Sequence, residues 1–200
     1  MKKITFLITV YNEYLTVKDA IQEILSLKYE NKEVIIIDNA STDGSQEIIK
    51  QIKNITLVLR KKNLGYGSTV MEGLNLATGD YLYVHNSDLE YDPLNAIEML
   101  IFAESENLDV VFGSRLNNRY EIIKNLKSNP AFLATYLTTF LINVLYKKKF
   151  TDIIGSKLYK TDKIKNVKAD FLHEGFDFGF VSRLCKEKYN IGEIFANYKP

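Results

Sequence analysis

The first half of the chain alternates short apolar runs with segments whose apolar residues recur at helical spacing. Short runs rich in aliphatic and β-branched residues are typical of strands buried on both faces, and they occupy 4–10, 34–37, 55–59, 81–84 and 110–112. Apolar residues at helical spacing between these runs predict four helices. Three of them cover 14–27, 67–76 and 93–106, and the fourth begins after the capping residues 41–43. This alternation predicts an α/β fold with a mainly parallel central sheet covered by helices on both faces.

Polar residues follow three of the predicted strands. The segments are Tyr11-Asn12-Glu13, Asp38-Asn39 and His85-Asn86-Ser87-Asp88. Open parallel sheets bind ligands at the carboxyl ends of their strands. We therefore expect these three segments to build one binding cleft.

The second half is less regular, apart from one uncharged segment. Ala131 to Tyr146 carries apolar pairs every four residues, and Lys147-Lys148-Lys149 follows directly. The spacing predicts an amphipathic helix, and its 16 residues are fewer than the roughly 20 that span a bilayer. Two interpretations stand: a helix lying on an anionic membrane surface over 131–149, or a core helix with a solvated basic end.

The composition indicates a single globular domain. The chain has 200 residues, of which 46% are hydrophobic, so one domain over 1–200 can bury a substantial core. The single cysteine, Cys185, excludes an internal disulfide. With only two histidines beside it, the chain has too few Cys and His ligands for a zinc site. The first residues lack the long apolar stretch of a signal peptide, so we expect a cytoplasmic protein.

The net charge of +1 hides an uneven distribution along the chain. Between Asn63 and Ser114 there is no Lys or Arg, whereas nine acidic residues fall in that stretch. A nucleic-acid groove would need a continuous basic face, so no nucleic-acid partner is expected. Four of the acids crowd around one predicted strand, which makes a candidate cation site: Asp80, Asp88, Glu90 and Asp92.

Common catalytic and phosphate-binding motifs do not fit this sequence. The pattern G-x-x-x-x-G-K-[ST] is absent, and the glycines of 65–70 lack the third glycine of the dinucleotide fingerprint. With two histidines and no G-x-S-x-G, no hydrolase triad can be assembled. These results exclude P-loop nucleotidases and disfavour Rossmann dehydrogenases and serine hydrolases.

A series of short motifs instead follows nearly the whole chain. The stronger ones are 9–13, 34–45, 63–67 with Gly73, 77–81 and 86–93; the weaker ones are 113–115, Asp152 with 155–157, and 192–194 with 198–200. In this order they resemble the family-2 glycosyltransferases of the GT-A fold, and within them the dolichyl- or polyprenyl-phosphate mannose or glucose synthases. Relatives usually continue beyond the last motif, so we expect a trimmed or naturally short form. We also expect a nucleotide-sugar-binding half over 1–115 and an acceptor-side half over 116–200.

The resemblance implies transfer of a sugar from a UDP- or GDP-sugar to a polyprenyl phosphate or a glycan, with inversion, in cell-envelope polysaccharide or glycolipid synthesis. It implies Mg²⁺ or Mn²⁺ at Asn86, Asp88 and Glu90, since the family's Asp-x-Asp segment aligns with 86–88. The nucleotide-sugar contacts that it implies are Thr9, Tyr11, Glu13, Asp38, Asn63, Gly65, Asp80 and Ser87. Gly65 and Gly67 would let backbone approach the donor closely. Candidate phosphate contacts are Arg60, Lys61 and Lys62, or Arg115 and Arg119.

Two departures from the family pattern bear on catalysis. The first acid of Asp-x-Asp is Asn86, and the acid expected on the acceptor side falls on Gly179 or Val181. The resemblance then implies Asp88 as a catalytic residue that touches the donor or its metal, with Asp177 and Glu174 as substitutes for the missing base. A lipid phosphate is already anionic and would need no base, whereas a sugar hydroxyl would. The alternative is a catalytically weak or inactive module that binds a nucleotide or a partner.

Overall fold

Seven strands form one sheet in the computed structural model, which describes residues 1–116, 130–169, 173 and 175–199. In chain order they are β1 Ile4–Val10, β2 Lys32–Asp38, β3 Thr56–Leu59, β4 Tyr81–Asn86, β5 Val110–Ser114, β6 Ser156–Lys160 and β7 Ile191–Phe195. Their order across the sheet is β3-β2-β1-β4-β6-β5-β7. All neighbouring pairs are parallel except those of β6, which runs antiparallel to both β4 and β5. The predicted mainly parallel sheet is confirmed.

Helices cover both faces of this sheet. They are α1 Val17–Ser26, α2 Ser45–Ile49, α3 Tyr66–Leu76, α4 Asn95–Ser105, α5 Pro130–Tyr146, α6 Thr161–Ile164 and α7 Phe176–Lys186. Successive side chains of a strand point to opposite faces. Ile35 and Ile37 accordingly join one buried core, whereas Ile36 joins a second core on the other side. Burial on both faces explains why the first strands read as continuous apolar runs.

The second half of the chain completes the same sheet. β6 lies between β4 and β5, and β7 pairs with β5 at the edge. Neither strand was predicted, because β6 is a five-residue segment with two lysines and β7 contains Gly192 and Glu193. The functional division at 115/116 stays a prediction.

The α5 helix exposes the apolar stripe that the sequence predicts. Its exposed large side chains are Leu133, Tyr136, Leu137, Phe140, Leu141, Val144 and Leu145, each between 42% and 62% accessible. The face turned to the protein carries Thr139 and Ile142, which are buried. The core-helix interpretation is therefore wrong for this stripe. Among the described residues, no helix is long and apolar enough to cross a membrane.

Candidate functional site

A cavity of about 450 Å³ opens at the carboxyl ends of β1, β2 and β4. It is lined by Thr9, Val10, Tyr11, Glu13, Asn39, Asn63, Gly65, Tyr66, Thr69, Asn86, Ser87, Asp88 and His173. The three polar strand ends thus meet in one cleft, and the loop between β3 and α3 supplies a further wall.

The ends of β1 and β4 hold each other in place at the centre of the cleft. Thr9 lies opposite Asn86 in the parallel register, and its Oγ1 donates to Asn86 Oδ1 at 3.1 Å. Ser87 Oγ donates to the Thr9 carbonyl oxygen at 3.0 Å. An amide oxygen has two lone pairs, so Asn86 keeps one of them for a ligand.

The turns that leave these strands have constrained backbones. Asn12, Ala40 and Leu89 have φ values of 57°, 68° and 63°, a left-handed conformation that side chains other than glycine rarely adopt. The first two turns are joined, because the Asn12 N–H donates to Ser41 Oγ and the Thr42 N–H donates to Asn12 Oδ1, both at 2.9 Å. The rim of the cleft is therefore fixed by side chain–backbone hydrogen bonds.

Asp38 does not line the cleft, which corrects its expected position. Its Oδ1 accepts from the Ser41 N–H at 3.0 Å and from Gln46 Nε2 at 2.6 Å, and the side chain is fully buried. Successive residues at a strand end point to opposite sides, so the next residue, Asn39, reaches the cleft instead. Asp38 supports the wall from behind, and its Oδ2 has no hydrogen-bond partner among the residues that the structure describes.

Arg60 also lies behind the wall, not in the cleft as a phosphate contact. The guanidinium has five N–H donors, and all five are used. Nε and Nη2 donate to Glu72, Nη1 donates to Asn39 and Thr69, and Nη2 donates to the Ser68 carbonyl oxygen. No donor is left for an anion, so the expected phosphate contact is wrong for Arg60.

Gly67 serves packing between helices instead of close approach to a ligand. A Cβ at this position would lie 2.3 Å from Phe176 Cδ2, so only glycine lets α3 approach α7 here. Gly65, with a φ of 84°, does line the cleft.

Asp80 lies at the opposite edge of the sheet from the cleft. It precedes β4, whose six residues separate it from Asn86 by roughly 20 Å at 3.3 Å per residue. Its carboxylate accepts from the Lys3 N–H at 2.7 Å, and this bond, with the Lys2 side chain, lowers its pKa. At this distance Asp80 cannot contact a donor in the cleft, so the expected contact is wrong.

Glu90 points away from the cleft lining toward the last described residues. Burial, together with the negative charge of nearby Asp88, raises the pKa of Glu90. The Tyr198 hydroxyl donates to its carboxylate, and the Lys199 N–H donates to its carbonyl oxygen at 2.8 Å. Glu90 therefore lies close to the acidic end of the cleft, with its side chain already hydrogen-bonded.

Comparison with known proteins identifies the fold and the family. Residues 5–168 match the family described as Glycosyl transferase family 2. The chain belongs to glycosyl transferase family 2. This family 2 chain is 33% identical over 135 residues to the poly-beta-1,6-N-acetyl-D-glucosamine synthase of Staphylococcus aureus, a match that covers 64% of the chain. It spans about a third of the length of that curated relative, 32%.

Solved structures share the fold of this family 2 chain. Glucosyl-3-phosphoglycerate synthase from Mycobacterium tuberculosis, in complex with Mn²⁺, UDP and phosphoglyceric acid, aligns with a TM-score of 0.71 and 15% identity over 100% of this chain and 71% of that one. TarS of S. aureus in complex with UDP-GlcNAc aligns with a TM-score of 0.66 and 17% identity over 98% and 58%. Both likenesses confirm the GT-A fold that the sequence motifs imply.

Asp177, one of the two acids expected to act as a base, is held in an ion pair. Its Oδ1 lies 2.8 Å from the Nζ of Lys157, a lysine that is 2% exposed and that also donates to the Gly155 carbonyl oxygen at 2.9 Å. Asp177 does not line the cleft. The catalytic role of Asp177 stays a prediction, and Glu174 lies outside the described residues.

The oxygen atoms of Asn86 and Asp88 fit a hard divalent cation. Mg²⁺ and Mn²⁺ prefer carboxylate, carbonyl and phosphate oxygens, and both residues line the same part of the cleft. The Glu90 N–H donates to Asp88 Oδ1 at 3.1 Å and orients the carboxylate. Within the described residues there is no group of three or more His, Cys, Asp or Glu side chains arranged for a metal, so further ligands would have to come from the substrate.

Several cleft residues escaped the sequence reasoning. They are Val10, Tyr66, Thr69 and His173, whereas Asn39 was expected only as part of the strand end 38–39 and not as an individual contact. The period-two alternation of β2 could have indicated Asn39 once the direction of Asp38 was known. Nothing in the sequence around His173 pointed to the cleft, because it follows a segment without a regular pattern.

Proposed function

We propose that this chain transfers a sugar from a UDP-sugar to an acceptor, with the donor bound in the cleft at the ends of β1, β2 and β4. The observation that carries this proposal is the meeting of three polar strand ends around one cavity that has Asn86 and Asp88 at one end. Membership of family 2 supports it, as do neighbours crystallised with UDP or UDP-GlcNAc. A GDP-sugar remains the alternative donor, and the experiment below compares the two.

The donor would lie with its diphosphate beside Asn86 and Asp88. Mg²⁺ or Mn²⁺ held there, with Glu90 close by, would stabilise the negative charge of the departing UDP. Thr9, Tyr11, Glu13, Asn63, Gly65 and Ser87 line the same cavity and are proposed donor contacts. The acceptor oxygen would bond to the anomeric carbon from the face opposite to the departing diphosphate, so the configuration inverts.

For the acceptor we propose a polyprenyl phosphate. The ion pair between Asp177 and Lys157 supports it, because a phosphate oxygen needs no base to remove a proton. A glycan hydroxyl is the second candidate, favoured by the identity to a polysaccharide synthase. Either acceptor would serve the synthesis of a cell-envelope glycan or glycolipid.

A peripheral position at the cytoplasmic face of a membrane is part of the same proposal. The exposed apolar stripe of α5 ends in Lys147-Lys148-Lys149. A helix with an apolar face and an adjacent basic cluster has the chemistry that binds anionic lipid surfaces. Contact through 131–149 would bring the cleft to a lipid-linked acceptor.

The proposal is tested by incubating the chain with radiolabelled UDP-GlcNAc, UDP-glucose or GDP-mannose and Mn²⁺. Each donor is paired with a polyprenyl phosphate in detergent or with a glycan oligomer. We expect a labelled product from a UDP-sugar, strongest with the lipid phosphate and lost in EDTA. NMR of the product should show an inverted anomeric centre. Donor binding without transfer to either acceptor would favour the binding-module alternative. The absence of both donor binding and transfer would contradict the proposal.

A further inference from the structure

Residues 196–199 lie against the segment that follows β4; they are called the strap. The Asn197 N–H donates to Asn95 Oδ1 at 2.8 Å, and Asn95 Nδ2 donates to the Asn197 carbonyl oxygen at 3.0 Å. At the other end, the Lys199 N–H donates to the Glu90 carbonyl oxygen at 2.8 Å. Because Asn95 is buried, water competes little for the first pair of bonds. The strap is therefore held across the backbone that carries Glu90.

Tyr198 of the strap has a hydroxyl group whose direction is fixed by its neighbours. Arg115 donates to the hydroxyl oxygen, and the guanidinium is itself held by the buried Asp152 through hydrogen bonds of 2.6 and 3.1 Å. A guanidinium has no acceptor, so the Tyr198 oxygen accepts from it and the single O–H is left to donate to the Glu90 carboxylate. The Tyr91 ring packs 5.1 Å from the Tyr198 ring, centroid to centroid. The donor that faces Glu90 is therefore held in place from two sides.

The Glu90 carboxylate is close to the acidic end of the cleft, at Asp88, but is turned away from it. Burial, and then the negative charges of Asp88 and Glu13, raise the pKa of Glu90, and both of those acids line the cleft. Glu90 itself lines a second cavity, of about 450 Å³, together with the end of α1 and Lys199 of the strap. A glutamate side chain turns about three single bonds, so its hydrogen bond to Tyr198 keeps the carboxylate on this side.

We propose that Tyr198 is a positioning residue that holds the Glu90 carboxylate away from the acidic end of the cleft, so that Asn86 and Asp88 bind the cation without it. The family resemblance instead implies Glu90 as a metal ligand. A hydrogen bond to a charged group is stronger than one between neutral groups, so a cation would have to break a strong bond before Glu90 could reach it. The cation is then held by one protein charge instead of two, and the strap keeps its binding weak. The inference rests on the proposed function for the cation at Asn86 and Asp88.

The experiment measures the affinity for Mn²⁺ at a saturating concentration of UDP, from the electron paramagnetic resonance signal of free Mn²⁺. Tyr198→Phe keeps the ring and removes the O–H, so Glu90 is free to turn toward the cation. Mn²⁺ should then bind about tenfold more tightly, which corresponds to one hydrogen bond to a charged group. Glu90→Gln in the same variant should cancel that gain, whereas in wild type it should weaken Mn²⁺ binding far less than Asp88→Ala does. Tyr136→Phe, which removes a hydroxyl from an exposed ring on α5, should bind as wild type does.

A merely structural role of Tyr198 would give the opposite result, because a loosened strap would weaken Mn²⁺ binding. The inference is overturned if Tyr198→Phe leaves the Mn²⁺ affinity unchanged or lowers it, or if the gain persists after Glu90→Gln. If Tyr198→Phe does not fold, Glu90→Gln alone decides. A loss as large as that of Asp88→Ala would make Glu90 a ligand in wild type and overturn the inference, and a much smaller loss would support it. Absence of Mn²⁺ binding by wild type would instead overturn the proposed cation site, and this inference with it.

Discussion

Asn86 supplies an amide dipole where the family resemblance expects a full negative charge. Two opposite unit charges 4 Å apart attract by about 4 kcal/mol at an effective dielectric constant near 20, and competition with water removes part of that. Even about 1.4 kcal/mol changes affinity tenfold. Asn86→Asp should therefore tighten Mn²⁺ binding in the presence of UDP by about tenfold, measured by titration of the Mn²⁺ electron paramagnetic resonance signal.

Asp88 should carry most of the dependence on the cation. It is a carboxylate on the cleft lining next to Asn86, so Asp88→Ala should abolish the gain in UDP affinity that Mn²⁺ provides. Glu98→Ala removes an exposed acid from α4 and should leave that gain unchanged. If Asn86→Asp does not alter Mn²⁺ affinity while Asp88→Ala still responds to Mn²⁺, the cation binds elsewhere.

Glu33 links stability to pH at the edge of the sheet opposite the cleft. Burial raises the pKa of its carboxyl group, but hydrogen bonds from Thr5, Thr78 and Lys3 outweigh burial and lower the pKa to about 2 from an ordinary 4.5. Because the folded-state pKa is depressed, this stabilisation is present above pH 4.5 and is lost as the pH falls toward 2. After allowance for solvent screening it is worth about 1–2 kcal/mol.

Glu33→Gln should accordingly lower the free energy of unfolding by about 1–2 kcal/mol at pH 7 and by progressively less below pH 4.5. Urea denaturation at pH 7, 4 and 3 measures this difference. Glu30→Gln, at an exposed neighbouring position, is the control and should follow wild type at each pH. An equal loss at pH 7 and pH 3 would show that ionisation of Glu33 is not the cause.

At the scale of the elements, the sequence predicts the strands that form continuous apolar runs and misses those of mixed composition, including β6, which is almost wholly buried. β1 and β2 are buried on both faces, so their apolar runs predict their positions closely. β7 is of intermediate exposure throughout most of its length, and its mixed composition carries no such pattern. The same limit applies to Asp38 and Asn39: the end of a strand can be predicted from the pattern, but the side chain that faces the cleft depends on the pleat.

α5 should bind anionic vesicles through its apolar stripe and basic cluster. Each lysine close to an anionic surface contributes about 1 kcal/mol, so replacement of Lys147, Lys148 and Lys149 by glutamine should weaken binding by about two orders of magnitude. Leu137→Gln and Leu141→Gln, at exposed positions of the stripe, should weaken it further. Flotation with phosphatidylglycerol-rich vesicles measures the bound fraction.

Added salt should release the wild-type chain from these vesicles, because the lysine contribution is electrostatic. Neutral phosphatidylcholine vesicles should bind it much more weakly. As a control, three exposed lysines elsewhere are replaced by glutamine: Lys18, Lys53 and Lys163. This variant loses the same total charge as the α5 variant, but it should still float with the vesicles. If flotation falls equally in both triple variants, net charge and not the α5 surface governs the interaction.

At the scale of the whole molecule, the cleft joins parts of the chain that are distant in sequence. Its lining runs from Thr9 to His173, so the complete site exists only in the folded chain, and a ligand that binds there must stabilise the fold as a whole. At a concentration one hundred times its Kd, such a ligand adds about 2.7 kcal/mol. For a chain of this size each kcal/mol raises Tm by about 2–4 °C, so UDP with Mn²⁺ should raise Tm by about 5–10 °C.

This shift separates the roles of the two ends of the cleft. EDTA removes the Mn²⁺ and should sharply reduce the rise in Tm that UDP produces. Without the cation, the negative charges of the diphosphate and of Asp88 repel each other. Uridine lacks the diphosphate and should give a small shift that is the same with Mn²⁺ and with EDTA. Differential scanning fluorimetry with the four combinations measures these effects. A UDP-induced shift of equal size in EDTA would mean that the nucleotide binds without the cation, and the assignment of Asn86 and Asp88 to metal binding would then fall while nucleotide binding would stand.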